Sequence, residues 1–82
     1  MSTKISLPLT KAEIGVPYRL EQLRGGRAVQ RRLAELGLTP GVTVRVLQNC
    51  GGPLLVAIRS SRIALGKGMA TKISVTQERA TN

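Results

Sequence analysis

Leu36-Gly37-Leu38-Thr39-Pro40-Gly41 is the stretch on which the reading of this chain turns. Before it, Val29, Leu33 and Leu36 fall at i, i+4 and i+7, one stripe of a helix. Arg27, Gln30, Arg31, Ala34 and Glu35 take the other faces. Gly37 stands where a left-handed residue closes a helix, with Leu38 free to fold back on Leu33. Pro40 forbids continuation. After it the period is two: Val42, Val44 and Val46 face one way, Thr43 and Arg45 the other. The stretch therefore hands a short helix over to a strand, which removes the second helix that a helix-turn-helix DNA reader needs.

Working outward, Val16 to Leu23 alternates as a half-buried strand, and Gly25-Gly26 separates it from the helix. Ahead of it, Leu7-Pro8-Leu9-Thr10 leads into a short turn, with Thr10 and Glu13 spaced as a capping box. On the other side, residues 49–53 (Asn-Cys-Gly-Gly-Pro) form a turn, and Leu54 to Arg59 is the returning strand. Ser60-Ser61 reverses into Arg62-Ile63-Ala64-Leu65. Gly66-Lys67-Gly68-Met69-Ala70 reads as a 3-10 or helical turn, and Lys72 to Thr76 as the last strand, with Ile73 and Val75 inward. The prediction is a mainly β domain of about five short antiparallel strands, closed as a small barrel, with one helix after the first strand. Residues 1–82 form a single domain with its core over about residues 7–76, and Met1 to Lys4 and Glu78 to Asn82 are expected to fray.

Eighty-two residues carry one core and a net stability of about 4–12 kcal/mol. Tyr18 is the sole aromatic residue, so the core is a mesh of Val, Ile and Leu. Thirteen Lys and Arg against four Glu give a net charge of +9, which favours anionic partners: nucleic acid, an acidic protein face or an anionic membrane surface. No run approaches the about 20 apolar residues of a membrane-spanning helix, and the N-terminus lacks a signal-peptide pattern, so a cytoplasmic location is expected.

Catalytic chemistry finds little to work with. His and Asp are absent, which removes Ser-His-Asp and Cys-His arrangements, and the four glutamates (Glu13, Glu21, Glu35, Glu78) are scattered. Gly66-Lys67-Gly68 lacks the spacing of a phosphate loop. A lone Cys50 in a glycine-rich turn is at most a weak metal contact, since a zinc site wants four ligands and a ferrous site commonly uses His and carboxylate. No cofactor is expected. A basic barrel without aromatic platforms offers single-stranded nucleic acid only phosphate attraction, hence no sequence-specific binding.

Arg32-Leu33-Ala34-Glu35-Leu36-Gly37-Leu38-Thr39-Pro40-Gly41 leading into Val42 to Val46 strongly resembles the FeoA family (ferrous iron transport protein A). Gly52-Pro53, Ile63-Ala64-Leu65 and the series Ala70, Ile73, Val75 follow in the family's order, and the resemblance runs from Leu7 to Thr76. It implies an SH3-like barrel and a cytoplasmic accessory protein recruited to the inner face of the membrane. The partner it implies is the cytoplasmic domain of FeoB, a ferrous-iron transporter that binds GTP. A similar domain ends iron-dependent repressors of the DtxR type, so a regulatory repressor domain stands as one alternative; the positive charge alone leaves a basic nucleic-acid-binding barrel as another. With this resemblance in view, Arg27, Gln30, Arg31, Leu38, Thr39, Pro40, Arg59 and Arg62 are the candidate partner contacts. Leu33, Leu36, Gly37, Gly41 and Ala70 are assigned structural roles, and the chain is expected as a monomer or weak homodimer.

Overall fold

The alternation of Val16 to Leu23 and of Val42 to Val46 becomes two neighbouring strands in the computed structural model, which describes residues 2–59 and 61–80. The chain runs β1 (Ser2–Pro8), a 3-10 turn (Leu9–Lys11), β2 (Tyr18–Leu23), α1 (Arg27–Glu35), β3 (Thr43–Gln48), β4 (Leu54–Ile58), β5 (Ser61–Leu65), α2 (Lys67–Ala70) and β6 (Ile73–Ala80). All strand pairs are antiparallel, in the order β1-β6-β2-β3-β4-β5. Two irregularities bend the sheet, one at Glu21 in β2 and one at Leu47 in β3, where an unpaired residue interrupts the register. The curl wraps the sheet around one aliphatic core and leaves β1 and β5 as its two edges.

There are six strands where the sequence pattern yields five, so the helix follows the second strand and not the first. The additional one is β1. Ser2, Thr3 and Lys4, expected to fray, pair with Ala80, Arg79 and Glu78 of β6, also expected to fray. The two ends are held by a ladder between residues far apart in sequence, which no local pattern reveals. Met1, Thr81 and Asn82 lie outside the described residues, as does Ser60 of the expected reversal at Ser60-Ser61.

The core joins Leu20 of β2, Val44 and Val46 of β3, Leu54 and Val56 of β4 and Ile73 and Val75 of β6, all at most 1% exposed. Leu33 is the only buried residue of α1, with Val29 half-buried beside it. The capping box does not form: Thr10 lies inside the 3-10 turn, whose N-cap is Pro8. Glu13 instead donates its backbone N–H to the Tyr18 hydroxyl at 3.0 Å. That bond satisfies the polar end of an otherwise buried ring.

Candidate functional site

The helix end and the β4–β5 hairpin meet at one corner. Leu36 is the C-cap of α1, and Gly37 follows it at φ +94°. The Gly37 N–H reaches the Ala34 carbonyl at 2.9 Å and the Leu38 N–H reaches the Leu33 carbonyl at 2.9 Å, the paired bonds of a Schellman end. A Cβ on Gly37 would stand 3.0 Å from Ile58 Cδ1, the free end of that side chain, so the positive φ is the main reason for glycine here. Gly41, also at φ +94°, donates its N–H to the Leu20 carbonyl at 2.8 Å and starts the approach of β3 to β2.

This turn exchanges the roles expected of two leucines. Leu38, a candidate contact, is 0% exposed, while Leu36, assigned to the buried stripe, is 37% exposed. The helical period stops at Leu36, and the reversal at Gly37 swings Leu38 inward in its place. Thr39 and Pro40 are exposed as expected. Gln30 is exposed as well, and its Nε2 donates to the Gly25 carbonyl at 3.1 Å and to the Leu23 carbonyl at 3.4 Å. It clamps the first turn of α1 onto the β2–α1 connection, where Gly26 supplies no side-chain cap. Gln30→Ala is therefore expected to cost about 0.5–1.5 kcal/mol, read from the midpoint of urea unfolding.

Arg27 and Arg31 are exposed on α1, one turn apart. Arg59 and Arg62 lie on the hairpin, where β4 closes on β5 through the pair Ile58–Ser61. Arg59 adopts φ 44°, the left-handed region that a tight two-residue hairpin demands and that glycine or asparagine fills more easily. Arg59→Gly should raise the thermal midpoint, with a gain of up to about 1 kcal/mol after the added chain entropy is subtracted. Thr39 and Arg59 share a hollow of about 360 Å³ with Leu36, Val42 and Ile58. Arg59 and Arg62 line an adjoining open groove of about 560 Å³ with Arg45, a residue not among the sequence candidates. Arg27 and Arg31 line neither hollow. The signal for Arg45 is present in the alternation of Val44, Arg45 and Val46, but its neighbours on β4 and β5 appear only with the register.

Cys50 is exposed and free, and among the described residues no three His, Cys, Asp or Glu come together. Ala70 is fully buried at the end of α2. Among the described residues no helix is long and apolar enough to cross a membrane.

A curled antiparallel sheet with a single helix entering at this corner defines a small SH3-like domain. Residues 7–77 match the FeoA domain family, and the chain belongs to that family. A protein of Methanocaldococcus jannaschii named for Fe(2+) transport (protein A) is 32% identical over 68 residues, 83% of each chain. The crystal structure of an iron uptake regulatory protein (FeoA) superposes with a TM-score of 0.82 at 32% identity, covering 87% of this chain and 96% of the other. The zinc complex of Stenotrophomonas maltophilia FeoA gives 0.75 at 28% identity, covering 90% and 99%. That protein is described as a procaryotic SH3 domain proposed to act as a ferrous iron transport activating factor.

Proposed function

We propose that this chain is a non-catalytic cytoplasmic accessory protein of bacterial ferrous-iron uptake. It docks on the cytoplasmic domain of the FeoB transporter and adjusts that transporter's assembly or activity. Membership of the FeoA family over residues 7–77 carries this reading. The relatives matched over most of their own length are named for iron transport and uptake, which favours it over a repressor's regulatory domain. A sequence without His or Asp supports a binding role rather than catalysis. The sole aromatic ring, Tyr18, is buried, so bases find no exposed platform to stack on.

Docking uses the exposed corner Thr39-Pro40 with Arg59 and Arg62 of the hairpin, while Arg27 and Arg31 on α1 supply longer-range attraction. An anionic membrane surface beside the transporter adds about 1 kcal/mol per basic residue brought near it. The protein acts as a monomer or weak homodimer. Arg27→Glu with Arg31→Glu should slow association with the transporter's cytoplasmic domain and make it less sensitive to salt, as stopped-flow binding would record, with the fold unchanged. Ferrous-iron uptake by cells that keep the transporter but lack this chain tests the function itself. Uptake should fall and return with the wild-type chain; equal uptake in both strains contradicts the accessory role.

A further inference from the structure

The outer face of the hairpin region holds a row of residues that only the strand register assembles. Arg45 of β3 pairs with Ala57 of β4, and Ala57 pairs with Arg62 of β5. With strands about 4.8 Å apart, the two arginines stand about 10 Å from each other across a single methyl group. Arg59 bounds the same groove, whose lining holds three guanidinium groups and no carboxylate. Period-two alternation along β3 puts Leu47 on the same face as Arg45, where it gives the groove an apolar wall. Val42 and Arg59 also line the neighbouring hollow, where exposed Leu36 and the edge of Ile58 form an apolar patch beside Thr39 and Ser61.

We propose that these joined hollows hold an extended acidic segment of a partner protein. An apolar side chain enters the hollow at Leu36 and Ile58, and carboxylates meet the guanidinium groups of Arg45, Arg59 and Arg62. The proposal rests on the accessory-protein reading above and specifies what the partner presents. Charge decides the sign of the occupant, because three arginines facing one groove repel each other until anions lie between them. Guanidinium forks bind carboxylates with two parallel hydrogen bonds. In an extended segment, residues i and i+2 lie on one face about 7 Å apart, within the reach of arginine side chains spaced as here. The patch at Leu36 and Ile58 separates a peptide from a simple anion such as phosphate, which has no apolar group to place there. The concave surface separates it from a bilayer, which a flat or convex basic face meets better.

The test is a titration of the ¹⁵N-labelled full chain, followed by amide chemical shifts at physiological salt. The probe is a synthetic peptide with one leucine and three glutamates in a glycine background, and its control carries glutamines in place of the glutamates. Shifts should centre on Val42, Arg45, Ala57 and Arg62. Affinity should drop about tenfold for the control peptide, and equally for the variant R45Q/R62Q with its spectrum still dispersed. Absence of shifts, shifts centred on α1, or equal binding of the control would overturn the proposal. So would phosphatidylglycerol vesicles or inorganic phosphate binding the same groove more tightly than the peptide. The transporter's cytoplasmic domain, run alongside, keeps the two readings apart. If it binds wild type and R45Q/R62Q equally, the groove assignment fails and the accessory role stands. If it binds neither while the acidic peptide binds, the groove assignment stands and the accessory role fails.

Discussion

Leu33→Ala is expected to lower the free energy of unfolding by about 2–5 kcal/mol, measured by equilibrium urea denaturation followed by circular dichroism. The reason is geometric. α1 has nine residues and buries only one of them, so Leu33 is the peg that fixes the helix to the sheet. Removing it takes away its transfer energy and leaves a cavity in the core. Against a total of about 4–12 kcal/mol, this is a large share of what holds the domain folded. Leu36→Ala, three residues on, should cost less than about 1 kcal/mol, because that side chain already stands 37% exposed. Equal losses at the two positions would mean that the helix end does not turn as described.

Gly37→Val should be comparably damaging, at about 2–4 kcal/mol by the same measurement. A left-handed conformation costs an L residue about 1–2 kcal/mol, and a β-branched side chain bears it poorly. Space adds a smaller cost, since the new Cβ would arrive 3.0 Å from Ile58 Cδ1 and displace the end of that side chain by a few tenths of an ångström towards the hollow it borders. Gly41 isolates the two contributions. It has the same φ of +94°, but a Cβ there meets nothing within 4 Å. Gly41→Ala should therefore show the conformational cost alone, about 1–2 kcal/mol, and Gly37→Ala should exceed it.

Much of this corner can be read in the residues themselves. The period of 3.6 over Val29 and Leu33, glycine at the closing position, proline after it and the alternation from Val42 on all agree, and agreement among local signals specifies a turn without ambiguity. What stays hidden depends on pairing at a distance. β1 has only a short alternation broken by Pro8, and its hold is the ladder to β6 at the opposite end of the chain. The exchange of Leu36 and Leu38 comes from the reversal itself, which ends the helical period one residue earlier than its extrapolation requires. Gln30 looks like any polar surface residue until its amide is placed against the carbonyls of Leu23 and Gly25. Alternation points Arg45 outward, but nothing local sets Ala57 between it and Arg62.

The same residues that make the corner stable also set its surface. Leu33 and Leu38 are used for packing, Gly37 for the reversal, and what remains outside is Leu36, Thr39, Pro40 and the arginines of the hairpin. A rigid, cationic and partly apolar corner of this kind is suited to a partner that carries its own acidic face.

On the function proposed above, the chain binds the ferrous-iron transporter's cytoplasmic domain through this corner. Calorimetric titration of that domain with the wild-type chain and with R45Q/R62Q, at physiological salt and with and without guanine nucleotide, tests it most directly. Saturable binding by the wild-type chain is expected, weakened about tenfold in the variant while both remain folded. Absence of binding by the wild-type chain in every nucleotide state would contradict it.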